Sequence, residues 1–244
     1  MDVWKVALEP KPGHEEFLFS VLRDDEKKRA EAYRFHRDRQ RFVAARATLR
    51  LILGHFYLNK APQEILLTYG SHGKPRLPNN EDGPPIRFNL AHSTHLSLLA
   101  ISLKSDLGVD IEEIKPNIEI ERIAVNFFST KEQNALFAMP VGERRAAFIR
   151  IWTLKEAYIK ARGLGLSIPL DSFHISPSHD ADTFSIEVDG VPEASRFWTI
   201  TNLPVDEGFV AALAMEGAPR SIRLYSPMID QILEHAPMSA NALS

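Results

Sequence analysis

HLSLLAISLKSDLGVDIEE, residues 95–113, decides how the rest of the chain is read. It contains two apolar runs, 95–103 and 107–113, separated by a short polar turn. Runs of this length bounded by turn residues read as strands, and two in succession read as an antiparallel pair. Outward from this centre, helical and strand-like patterns recur in a similar order on either side of about residue 105.

On the N-terminal side, 3–8 alternates as a strand that Pro10 closes. Helical patterns follow over 15–22, 26–35 and 38–57, the last with Phe42, Ala45, Leu49 and Leu53 on one face. A short strand at 65–69 leads into a Gly/Pro/Asn-rich loop at 70–85, and a further strand begins at Arg87. On the C-terminal side, helices are expected over 120–127, 130–139 and 143–162, with Gly163 as the residue that ends the last one. Strands are expected near 172–176, 184–188, 196–202 and 208–215, and a short helix with a frayed end after Tyr225. The fold class is therefore α+β, as two pseudo-symmetric halves with a cleft between them. The expected division is 1–105, 106–225 and a tail at 226–244.

The 244 residues suffice for two such halves, and a hydrophobic share of 44 % is ordinary for a globular chain. A formal net charge of -3 with no polybasic tail argues against a nucleic-acid partner. No apolar run approaches the ~20 residues of a membrane span, and the first residues lack a signal-peptide pattern. The chain has no cysteine, which removes disulfides, thiolate metal sites and cysteine nucleophiles and fits a reducing cytoplasm.

Chemistry concentrates in a few segments. In Gly108-Val109-Asp110-Ile111-Glu112, residues two apart share a strand face, so Asp110 and Glu112 present paired carboxylates. Like charges this close call for a cation or a proton between them, and an all-carboxylate donor set suits Mg²⁺, or else Mn²⁺. A solvated strand face is the plainer alternative. Trp152-Thr153-Leu154-Lys155-Glu156-Ala157-Tyr158-Ile159-Lys160 sets Glu156 and Lys160 four apart on one helix face, as a third carboxylate beside a phosphate-binding lysine or as an ordinary surface pair. Phe88-Asn89-Leu90-Ala91-His92-Ser93 and Gly73-Lys74-Pro75-Arg76 offer polar groups to an anion, or simply turn the chain. The basic stretch 26–50 reads as a phosphate site or as the wet face of a helix. Ser129-Thr130-Lys131-Glu132 has the form of a capping box, which leaves Glu132 uncertain as a site residue.

The order of these segments (GKP, FNLAHS, GVDIE, FFSTKE, WTLKEAYIKARGLGL) resembles the Sfp-type 4′-phosphopantetheinyl transferases over most of the chain, from about Asp25 to Leu213. The resemblance implies coenzyme A bound in the cleft, with Asp110, Glu112 and Glu156 around Mg²⁺ and Lys160 on a phosphate. It implies that Lys74, Arg76, His92 and the backbone around Asn89–Ser93 hold the nucleotide, so that 1–105 carries its contacts. Arg46, or less closely Lys28, then takes the 3′-phosphate. The family usually has Ser where this chain has Ala91, so one hydroxyl contact is missing. The implied activity moves phosphopantetheine from CoA to a serine of an acyl, peptidyl or polyketide carrier, with Glu156, Glu132 or a metal-bound water taking the proton and 118–139 as the docking region. The resemblance also implies a monomer. A Mg²⁺-dependent pyrophosphate hydrolase and a non-catalytic CoA- or carrier-binding module are the alternatives.

Overall fold

Two sheets form around strands such as Leu96–Ser102, which sends apolar side chains to both faces, and a long helix lies over each sheet. The structure is a computed structural model that describes residues 1–78, 85–178, 182–188, 197–218 and 221–235. In the first sheet β1 (Asp2–Ala7) pairs antiparallel with β5 (Leu96–Ser102), and β5 with β4 (Arg87–Ser93). The second sheet runs β6 (Leu107–Glu113), β10 (Phe209–Glu216), β9 (Trp198–Leu203), β8 (Thr183–Val188), β7 (Phe173–Pro177), antiparallel throughout.

The expectation that 95–103 and 107–113 pair with each other is overturned. Both edges of β5 are taken, by β1 and β4, so the turn after Ser102 carries the chain out of the first sheet and into the second. The chain also crosses back at its end. β11 (Arg223–Tyr225) pairs parallel with β1, and α7 (Ile229–His235) buries Ile229 and Ile232 in the core beneath the first sheet. Residues 236–244 of the expected tail lie outside the described residues, as does the start of the strand expected at 196–202.

α1 (Glu15–Ser20), α2 (Asp24–Glu31) and α3 (His36–Ile52) cover the first sheet. The helix expected over 38–57 changes character after Ile52. A wider turn follows at Leu53–Leu58 and ends at Asn59, whose φ of 49° reverses the chain. The strand expected at 65–69 shrinks to β2 (Thr68–Tyr69), which pairs with β3 (Pro75–Arg76) in a small hairpin.

α4 (Ile120–Phe127), α5 (Thr130–Ala138) and α6 (Val141–Arg162) belong to the second half. Ser129 and Glu132 form the anticipated capping box at the start of α5. Gly163 ends α6 with φ 67°, its N–H returning to Ile159 O at 3.0 Å. α6 approaches β6 so closely that a β-carbon on Gly108 would stand 2.2 Å from both the Ala157 carbonyl oxygen and the Ala161 nitrogen. Only glycine admits that contact, and it brings the strand acids beneath the helix. Among the described residues no helix is long and apolar enough to cross a membrane.

Candidate active site

β4 and β6 meet at the seam between the sheets without a backbone ladder, and side chains bridge them. Asn89, Ala91 and Ser93 alternate onto the face of β4 that meets β6. Asn89 Oδ1 accepts the Val109 N–H at 2.9 Å, and Ser93 Oγ accepts that of Glu113 at 3.2 Å. Ser93 Oγ also donates to Glu112 Oε2 at 3.2 Å, and Thr94 Oγ1 donates to Glu113 Oε2 at 2.5 Å. Asn89 is thus a buried cross-link of the seam. Ala91 is buried with Leu98, Val109 and Leu213, where a hydroxyl would need a partner inside an apolar cluster.

On β6, Val109 and Ile111 enter that cluster, while Asp110 and Glu112 face α6. Lys160 Nζ donates to Asp110 Oδ1 at 2.5 Å, and Oδ2 is buried with no hydrogen-bond partner. Burial is the largest influence on Asp110. It overrides Lys160 and, with the negative charges of Glu112 and Glu156, pushes the carboxyl up to about 7. Burial also raises Glu156 above the ordinary glutamate value, opposed by Lys160 and reinforced by Glu112. Burial works against the Lys160 ammonium, but Asp110, Glu156 and Glu112 outweigh it and raise its pKa. The three acids and the lysine therefore act as one electrostatic unit. Among the described residues no three acids or histidines are gathered into a formed coordination cluster. The set nonetheless fits a hard divalent cation, because every donor is a carboxylate oxygen and Asp110 Oδ2 is an unclaimed buried acceptor.

Around this unit stand the cations. His92 is exposed at the edge of the cleft; partial loss of solvent, followed by the charges of Lys160, Arg41 and Arg46, lowers its pKa. Lys74 Nζ donates to Leu107 O at 2.8 Å and Ala161 O at 3.1 Å, strapping the hairpin to β6 and the end of α6, and burial lowers its pKa to about 8. Arg76 lies against the same helix end, beside Gly163. Arg46 is buried on α3. Lys28 is on α2. It is exposed two residues from inward-facing Glu26, hence about 200° round α2.

Several functional-site neighbours escaped the sequence reading. The basic stretch 26–50 is more than a wet helix face, because Arg50 is fully buried and donates to Glu26 Oε2 at 2.6 Å. Lys155, adjacent to Glu156, is fully buried and donates to Leu170 O and Phe173 O, with Glu132 Oε2 at 2.8 Å. Glu132 Oε1 accepts the Ile175 N–H at 3.0 Å, so both oxygens of Glu132 are occupied in holding α5, α6 and β7 together. The Lys/Glu spacing carried the only signal, and a Ser-x-x-Glu cap explained the glutamate too well to suggest more.

An α+β chain whose two halves meet at a carboxylate–lysine cleft, ringed by arginine, lysine and histidine, defines a protein built to handle phosphate esters. Two family descriptions match in tandem, "4'-phosphopantetheinyl transferase, N-terminal" over residues 7–104 and "4'-phosphopantetheinyl transferase superfamily" over 106–214. The 4′-phosphopantetheinyl transferase HetI of Nostoc sp. is 33 % identical over 217 residues, spanning 88 % of this chain and 87 % of that one. The transferase Sfp of Bacillus subtilis is 31 % identical over 199 residues, spanning 81 % and 84 % respectively. A solved holo-[acyl-carrier-protein] synthase of Thermotoga maritima superposes on 47 % of this chain and 64 % of that one, with 19 % identity and a TM-score of 0.37, and adds nothing to the assignment. The chain belongs to the 4′-phosphopantetheinyl transferase family.

Proposed function

We propose that this protein transfers the 4′-phosphopantetheine arm of CoA to a serine of an apo carrier protein, releasing adenosine 3′,5′-bisphosphate. The observation that carries the reading is the Asp110–Lys160 pair, with the unclaimed Asp110 Oδ2 and with Glu112 and Glu156 close enough to shift it. CoA spans the seam, its pyrophosphate at this unit and its nucleotide toward His92, Arg76 and Arg46.

The serine oxygen attacks the β-phosphorus, forming a P–O bond as the bond to the bridging oxygen breaks. Lys160 offsets charge on the non-bridging oxygens and remains protonated, since three acids hold its proton. Glu156 accepts the serine proton; its raised pKa makes it a better base than an exposed glutamate, as long as it stays ionised at the working pH. Glu132 is too fully engaged for that role. Asp110, Glu112 and Glu156 are the residues that would hold Mg²⁺, which when bound supplies positive charge to the pyrophosphate. The surface offered to the carrier lies along 118–139, where Val125, Phe127 and Met139 are exposed beside the cleft helix. Phe127 meets Trp152 of α6 edge-on at 5.9 Å, linking that surface to the catalytic helix. The protein acts as a cytoplasmic monomer in this reading.

The test is the intact mass of an apo acyl carrier protein after incubation with the protein, CoA and Mg²⁺, with EDTA as control. A gain of one phosphopantetheine that EDTA removes is the expected result. Release of adenosine 3′,5′-bisphosphate without any carrier would point to hydrolysis instead, and neither product would sink the catalytic reading.

A further inference from the structure

Two consecutive hydroxyl residues meet two consecutive glutamates where β4 turns into β5. Ser93 Oγ donates to Glu112 Oε2 at 3.2 Å, and Thr94 Oγ1 donates to Glu113 Oε2 at 2.5 Å. The pairing ties the end of β4 to the end of β6, across the two sheets. Ser93 is buried, and both glutamates are half-buried. Thr94 has a φ of 52°, a left-handed backbone that a β-branched residue adopts only under constraint. Glycine would relieve that strain, but glycine has no hydroxyl for Glu113.

Connectivity settles where the serine proton goes. Ser93 Oγ accepts the Glu113 N–H at 3.2 Å, so its own single proton is left for the Glu112 carboxylate. Accepting one bond also polarises the hydroxyl for donating the other. Glu112 has need of such a donor. Lys160 is bonded to Asp110, while the negative charges of Asp110, Glu112 and Glu156 bear on one another. A half-buried glutamate, with its rotamer freedom, escapes that repulsion by swinging toward solvent. A hydrogen bond to the ionised carboxylate is stronger than one between neutral groups, and it opposes the escape.

We infer that Ser93 is a positioning residue for Glu112, keeping its carboxylate within reach of Asp110 and Glu156, and that Thr94, fixed by Glu113, holds the turn from which it does so. This rests on the reading of the three acids as the holders of a divalent cation beside CoA. The cation then has fewer arrangements of Glu112 to select from, so Ser93 raises metal affinity while acting only through the glutamate.

Mn²⁺ serves as a paramagnetic probe of the site. Its binding in the presence of CoA is followed by loss of the free-ion signal in electron paramagnetic resonance, on wild type, Ser93→Ala, Glu112→Ala and the double variant. CoA binding in EDTA is measured by calorimetry on the same four proteins. The expected result for Ser93→Ala is Mn²⁺ affinity weaker by about five- to thirtyfold, with CoA affinity in EDTA changed by less than about twofold. Added to Glu112→Ala, the serine substitution is expected to cost less than about twofold more. Its orphaned Glu113 N–H lowers Tm whether or not Ser93 positions Glu112, so Tm is not the readout. An undiminished loss in the Glu112→Ala background would overturn the inference, since Ser93 would then act by a route other than Glu112. Parallel weakening of Mn²⁺ and of CoA in EDTA would overturn it by making the serine a pin of the seam alone, and unchanged Mn²⁺ affinity in folded Ser93→Ala would do so directly. Should Ser93→Ala fail to fold, Ser93→Cys keeps a similar shape with a weak donor and carries the same expectations. Folded wild type that binds neither CoA nor Mn²⁺ would instead remove the reading on which the inference rests.

Discussion

Asp110 keeps its proton to about pH 7 because it is buried between two other carboxylates and has only one oxygen answered by Lys160. In the unfolded chain it titrates near 3.8. Between those values the folded state binds more protons than the unfolded one, so this residue's contribution to stability falls as pH rises from about 4 to about 7 and stays low above that. The full interval corresponds to roughly 4 kcal/mol. Asp110→Asn mimics the protonated acid. In EDTA its advantage over wild type is expected to be about 2–3 kcal/mol larger at pH 8 than at pH 5, or roughly 4–12 °C in Tm, since part of the loss is already present at pH 5. A gap of the same size at both pH values would show that burial strain on the ionised acid is not its source. Glu156→Gln keeps the shape of the second acid and removes its basicity, so transfer is expected to drop by about 10²–10⁴-fold in single-turnover assays. A loss below tenfold would assign the serine proton to another acceptor. These two acids were legible as residues, through i, i+2 spacing on a strand and i, i+4 spacing on a helix. Asn89 was read as part of a polar turn offered to an anion, whereas 87–93 is the strand β4. The choice between ligand and seam depended on what β6 brings opposite it, which no local pattern contains.

α6 and β6 are the elements that make a site from those acids, and one glycine sets their distance. Adding a β-carbon at Gly108 puts it 2.2 Å from backbone atoms of Ala157 and Ala161, which cannot rotate aside. Gly108→Ala is therefore expected to cost more than about 3 kcal/mol, seen as a Tm loss of about 10 °C or as insoluble protein. Gly142, in the first turn of the same helix, has nothing within 4 Å of such a carbon and an ordinary φ. Gly142→Ala is expected to be neutral or to stabilise by up to about 1 kcal/mol, through helix propensity. Comparable losses at both positions would remove the close approach as the explanation. The helices were readable because each carries its own signals: the capping box of α5, the left-handed Gly163 after α6, and the periodic apolar face of α3. Strand partners were not. β5 and β6 follow one another like a hairpin, yet β1 and β11, from opposite ends of the chain, complete the first sheet. Pairing of that kind is decided by edges left free in three dimensions.

At the scale of the whole molecule, the two sheets share one apolar cluster, in which Val3, Leu96 and Leu98 of the first meet Leu107, Val109 and Leu213 of the second. Within the first sheet the C-terminal segment is fastened to β1: Arg223 Nε donates to Asp2 Oδ1 at 2.7 Å, Trp4 stacks on Tyr225 at 4.4 Å, and α7 fills the core under β1. At the seam beneath the active site, β4 reaches β6 through the side chains of Asn89 and Ser93. Of these two buried bridges, Asn89 is the one with no carboxylate to share. Removing it orphans the Val109 N–H in a dry environment, which costs about 1–3 kcal/mol. Asn89→Ala is expected to lower stability in urea by that amount while leaving a single unfolding transition, because the shared apolar cluster still couples the sheets. Hydrogen exchange at Val109 is expected to speed up by roughly tenfold or more, with amides in the centre of β5 following only the global change. CoA affinity is expected to fall alongside, since Asp110 stands next to Val109 on the strand that has lost its tether. If Val109 exchange and CoA binding stay at wild-type levels while global stability drops, Asn89 contributes packing alone and the sheets are aligned by the apolar cluster they share.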